Sequence, residues 1–202
     1  MSADQLTALI VFAAVASFTP GPNNTIAAAT GANYGLRAVL PHMFGVPVGF
    51  STMLVAAASG VAVLLLASPQ LAAGLKWTGV AYLLWLSWQL ARPARTGAVA
   101  SSGPFALPLG LVQSAAFQYV NPKAWLFALA TTTAFFAGEQ PLRRAAIVVA
   151  VCALCMSSSL LLWGWAGAAL REWRRRGRRL QVFNLLMGVM LAATALWMGL
   201  AA

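Results

Sequence analysis

The residues best suited to chemistry are Lys123 and the polar groups around two proline-marked interruptions of apolar sequence. One reads Ser17-Phe18-Thr19-Pro20-Gly21-Pro22-Asn23-Asn24, the other Gln118-Tyr119-Val120-Asn121-Pro122-Lys123-Ala124-Trp125. Proline lacks an N–H, so each interruption frees backbone groups that hydrocarbon cannot satisfy. A half-helix beginning after Pro22 or Pro122 presents unpaired amides and the positive end of its dipole. Two such ends and one ammonium would form an anion site, with a carboxylate as the natural occupant. Asn23, Asn24 and Asn121 add amides able to hold the rest of a zwitterion. Asparagine beside proline also forms turns, so each of them could equally serve as a helix cap.

Lys123 lies about fourteen residues from the far end of its apolar run, or about 20 Å along a helix, which is near mid-membrane. A lysine there costs ~2.5–3.5 kcal/mol on insertion scales, and such charges usually face a cavity. The sequence leaves two other roles open. One is a structural bond from the ammonium to freed carbonyls, and the other is snorkelling to an interface.

The elements that must position these groups are membrane helices. Hydrophobic residues make up 61% of the 202 and charged residues 8%, with mean hydropathy +0.79, which excludes a disordered or ordinary soluble chain. Six runs, near 5–33, 38–67, 71–91, 107–137, 142–169 and 180–201, are long enough to cross a bilayer, which takes roughly 20 residues. The expected fold is an all-α integral membrane protein, one transporter domain over 1–202. Its six transmembrane helices form two inverted three-helix repeats, about 1–91 and 107–202, with helices one and four broken. Broken helices in corresponding places of two halves point to a transporter binding site. The N-terminus lacks a basic region and a cleavage site and reads as the first span.

Thirteen Lys+Arg against three Asp+Glu give a formal net charge of +10. These basic residues sit in short connections, which fits helix orientation and contact with lipid headgroups and not nucleic acid. The connections after spans one, three and five carry Arg37, Arg92, Arg95 and six arginines from Arg171 to Arg179, nine in all. The opposite side carries Lys76, Arg143 and Arg144, which makes three. Both termini are therefore expected to be periplasmic.

Gly45-Val46-Pro47-Val48-Gly49 lets helix backbones approach closely; Gly45 and Gly49 are counted with the site, although ordinary helix packing explains the pattern as well. Ser157 to Ser159 suit packing. His42, the single histidine, is expected near an interface, and Cys152 and Cys155 act as small apolar residues. The acids Asp4, Glu139 and Glu172 stand at span ends. With no carboxylate pair, metal cluster, Walker loop or GxSxG, neither an enzyme nor an ATP-driven pump is supported, and no cofactor is called for.

At these residues the chain resembles the LysE/RhtB family of amino-acid exporters. Thr19 to Asn24 is similar to that family's first-helix signature, Asn121-Pro122-Lys123 to its fourth, and Leu75 to Leu86 to its third helix. The resemblance covers essentially the whole chain. It implies inner-membrane efflux of amino acids or related metabolites, driven by an ion gradient without ATP. It also implies a site built from Pro20, Gly21, Pro22, Asn23, Asn24, Asn121, Pro122 and Lys123. Many members carry an aspartate after the glycine pair, where this chain reads Phe50-Ser51. A neutral substrate is therefore expected over a dibasic one. A homodimer is compatible with this reading, and the alternative function is a non-transporting membrane scaffold.

Overall fold

The computed structural model describes residues 1–59, 68–92, 108–170 and 178–200. Arg95 and the arginines from Arg171 to Arg176, which dominate the orientation argument, lie outside the described residues.

The described chain is helical throughout. Helices α1 (Ala3–Phe18) and α2 (Pro22–Tyr34) flank the first interruption, and a 3-10 turn, Leu36–Val39, leads into α3 (Leu40–Ala58). Next come α4 (Pro69–Ala91), then α5 (Leu111–Val120) and α6 (Pro122–Phe135), which flank the second interruption. Helices α7 (Pro141–Ala169) and α8 (Arg178–Leu200) complete the chain. Pro22 and Pro122 each occupy the first turn of the helix that resumes, where the missing N–H costs nothing.

Leu36–Ala58, Pro141–Ala169 and Arg179–Leu200 are long and apolar enough to cross a membrane. The α1–α2 pair, bent by 55°, makes a fourth span when taken as one broken element. Among the described residues, length and apolarity alone support up to four of the expected six. Polar residues dilute the other two candidates: Gln70, Lys76 and Gln89 in α4, and Gln113, Gln118, Asn121 and Lys123 in α5–α6. Large apolar side chains such as Val11, Val48, Trp88, Leu154 and Leu196 are more than half exposed, an arrangement suited to hydrocarbon and not to water.

Helix α2 packs on α7, α4 on α8, and α3 on α5, α6 and α7. Small residues set the closest approaches. A Cβ on Gly31 would lie 2.0 Å from the Gly164 carbonyl oxygen, and one on Gly167 the same distance from that of Ala28. Gly45 and Gly49 do the same for α3 against α5, where a Cβ would come within 2.3 Å of the carbonyls of Leu111 and Ala115. The buried side chains fall into two clusters. Leu9, Phe50, Phe127 and Leu160 belong to one, and Ile26, Leu83, Phe117 and Leu191 to the other.

Candidate functional site

The site begins with the backbone groups that the two interruptions release. Thr19, at the end of α1, and Gly21, before α2, are both extended, so the carbonyls of Ser17, Thr19 and Pro20 leave the helical ladder. Each needs another donor at membrane depth. Asn24 Nδ2 donates to the Ser17 and Thr19 carbonyls at 2.8 and 3.0 Å. Ser159 Oγ, from α7, donates to Ser17 O at 2.8 Å and lies 3.3 Å from Asn24 Oδ1. Lys123 Nζ reaches across from α6 to Thr19 O at 2.6 Å, with Pro20 O at 3.5 Å.

The second interruption is closed mostly from within. Asn121 caps α6 by accepting from Lys123 N at 3.1 Å. Trp125 Nε1 donates to Tyr119 O at 2.8 Å. Gln118 Nε2 donates to Ser114 O at 2.8 Å, and its amide pairs with that of Asn23 in both directions. His42 extends the network. Its Nδ1 stands 2.9 Å from Ser114 Oγ, and its Nε2 stands 3.2 Å from Asn23 O. A carbonyl can only accept, so Nε2 carries the proton and Nδ1 accepts from the serine hydroxyl.

Between the two interruptions lies a cavity of about 40 Å³. Its polar lining includes Asn23, Gln118 and Lys123, and its apolar lining includes Val46, Phe127 and Leu160. That volume admits about three water-sized groups at 10–15 Å³ each. Lys123 forms part of the wall. A Cβ on Gly21 would lie 3.0 Å from Lys123 Cδ and 3.1 Å from Nζ, so the bare glycine makes room for the lysine arm.

Gly21, Pro22, Asn23, Asn24, Asn121 and Lys123 line this cavity together. Pro20 adjoins them and offers its carbonyl to Lys123, and Pro122 begins α6. Gly45 and Gly49 stand elsewhere, in the α3–α5 contact, with Val46 between them on the lining. Lys123 binds carbonyls at the C-terminal end of α1, where the helix dipole favours a cation.

Sequence reasoning did not count Gln118, Ser17 and Ser159 as members of the site, nor His42 as part of its network. His42 is fully buried within the protein, with both ring nitrogens engaged. Gln118 gave a signal, being an amide within an apolar run one residue from Tyr119. Ser159 gave none that distinguishes it from Ser157 and Ser158.

Residues 14–201 match the family of LysE type translocators. The chain belongs to that family. It is therefore a membrane translocator and not an enzyme. It is 34% identical over 136 residues to a cysteine/O-acetylserine efflux protein of Klebsiella pneumoniae, covering 67% of each chain. A protein of the same description in Salmonella choleraesuis is 29% identical over 184 residues, 90% of this translocator and 92% of the relative. One from Escherichia coli strain K12 is 28% identical over 189 residues, 93% and 95% of the two chains. No solved structure matches this translocator.

Proposed function

We propose that this translocator exports small neutral amino acids or close derivatives across the inner membrane, driven by an ion gradient. The observation that carries this reading is the Lys123 ammonium bonded to the Thr19 carbonyl across the first interruption. In this state the lysine occupies an acceptor that a substrate's own ammonium could take. A zwitterion satisfies both partners at once: its carboxylate draws Lys123 away and faces the first amides of α2, and its ammonium replaces Lys123 on the freed carbonyls. No hydrogen-bonding group is stranded in the exchange. That is the condition for a low barrier in a site of low dielectric.

The neutral preference follows from the missing acid. Among the described residues the carboxylates are Asp4 and Glu139, at helix ends, so a second substrate cation would find no partner in the cavity. The names of the relatives, cysteine/O-acetylserine efflux proteins, fit the same substrate class.

Six spans in two inverted halves are part of the proposal. Helix α4 is 23 residues long, about 34 Å at 1.5 Å per residue, and α5 with α6 reaches a similar length. Exchanging α1–α2 with α5–α6, α3 with α7, and α4 with α8 carries the principal helix contacts onto one another. This supports a pseudo-two-fold relation between the halves.

Uptake into inside-out vesicles, with L-alanine, L-serine, L-cysteine and L-lysine presented under a proton or sodium gradient, tests the reading. Accumulation of the neutral amino acids but not lysine, lost in Lys123→Ala, is the expected result. Equal fluxes with and without the protein would favour a scaffold.

A further inference from the structure

The N-cap of α6 uses only half of its side chain. Asn121 Oδ1 accepts from Lys123 N at 3.1 Å, and since an N–H can only donate, that bond turns the amide NH2 the other way. Capping needs the oxygen alone, which aspartate or serine would supply as well. Nδ2 has no hydrogen-bond partner among the described residues. Asn121 is 2% exposed, and that remnant of surface includes Nδ2, which opens on the cavity between the two interruptions. A buried amide with both hydrogens idle is costly to keep and calls for an explanation. The other amides of the lining are engaged, Asn23 and Gln118 with each other and Asn24 with the carbonyls of Ser17 and Thr19. Ser17 Oγ is unpartnered too, but it is sealed from the cavity and offers nothing to a ligand.

We propose that Asn121 Nδ2 donates to the α-carboxylate of the transported amino acid, as the second donor beside Lys123. The assignment rests on the exporter reading above. An amide NH2 donates and cannot accept, so its partner must bring a free lone pair. In a zwitterion with an uncharged side chain the carboxylate is the one ionic acceptor, and its two oxygens can each take a donor. Lys123 lines the same cavity and supplies the cation. A donor on a charged acceptor makes the stronger kind of hydrogen bond. The capped amide is held by its own helix, whereas the lysine arm must change partner from Thr19 O. Asn121 therefore sets where the carboxylate sits, and Lys123 neutralises it. This donor reads the part common to all amino acids and not the part that distinguishes them.

The test separates the donor from the cap. Asn121→Asp keeps the capping oxygen and puts a second oxygen where the NH2 was, and Asn121→Ala removes both. Each is assayed for uptake of L-alanine and L-serine into inside-out vesicles, with the melting temperature in detergent as the measure of folding. One hydrogen bond to a charged group corresponds to about 10–150-fold, so kcat/KM should fall by about that much in both variants. The two amino acids should fall in parallel, and the Asp variant should melt like the wild type. Asn121→Ser, which also keeps a capping oxygen, decides the matter if neither variant folds. Wild-type uptake by folded Asn121→Asp would show that the side chain is a cap only, and it overturns the proposal. A loss for serine with alanine unchanged overturns it as well, since the amide would then read the side chain. Both of these outcomes leave the exporter reading standing. A wild type that moves neither amino acid overturns the exporter reading, and the assignment falls with it.

Discussion

Asn23 and Gln118 bond each other through both ends of their amides, Nδ2 to Oε1 at 2.9 Å and Nε2 to Oδ1 at 3.2 Å, although 95 positions separate them. The pair joins the first turn of α2 to the last turn of α5, so it ties the two interruptions together beside Lys123. Removing one partner strands the other in a buried place. Asn23→Ala and Gln118→Ala should each destabilise the fold by about 1–3 kcal/mol. The double variant should cost less than the sum by about 1 kcal/mol, read as non-additive melting shifts in detergent. Simple additivity would show that the amides act separately.

Lys123→Ala should abolish transport while leaving the fold intact. The charge-assisted bond to Thr19 is worth about 1.5–3 kcal/mol. The cost of holding a lysine within the membrane is a similar ~2.5–3.5 kcal/mol. The two nearly cancel, so the melting temperature should change little. Lys123→Arg should restore little transport, since a planar guanidinium does not replace a compact ammonium. Normal uptake by well-folded Lys123→Ala would remove the lysine from the site.

Gly21→Ala probes the space the lysine arm needs. The new methyl would stand 3.0 Å from Cδ and 3.1 Å from Nζ, the far end of a flexible side chain, so folding should survive. The ammonium must shift, and the uptake rate should fall, by about tenfold for a loss of about 1.4 kcal/mol in positioning. Full activity would show that the ammonium's present position is not the one used.

Gly31→Leu should fail differently. Its side chain would drive into the Gly164 carbonyl, which is backbone and cannot yield without separating α2 from α7. Overpacking of this kind costs about 1–3 kcal/mol, measured as a lowered melting temperature. Gly74→Ala is the contrast. A methyl there meets nothing within 4 Å, and exchanging a helical glycine for alanine gains about 0.5–1 kcal/mol.

The orientation is tested by single cysteines at positions 2 and 175 in a background lacking Cys152 and Cys155. An impermeant thiol reagent applied to intact cells should label position 2 and not position 175. The opposite pattern would invert the topology.

The two interruptions could be read from sequence because proline and asparagine in apolar surroundings leave few alternatives. Lys123 stood out for the same reason, a charge where charges are expensive. Gly45 and Gly49 show where that reasoning weakens. A glycine pair announces a close approach without saying to what, and here the structure shows the backbone of α5 against it. Ser17 and Ser159 were not singled out for the site, because serine in an apolar helix ordinarily bonds back to its own turn.

The sequence by itself determined the membrane class, the family, the two breaks and the one ammonium between them. These depend on composition and local backbone chemistry, which one residue carries with it wherever the chain goes. Only the tertiary structure decided which freed carbonyl each distant donor takes: Lys123 on Thr19 and Ser159 on Ser17. It also made His42 the buried link between Ser114 and Asn23. The physical reason is that a hydrogen bond is set by distances of a few tenths of an ångström between helices far apart in sequence. Those distances come from small-residue contacts such as Gly31 on Gly164, which no local pattern specifies.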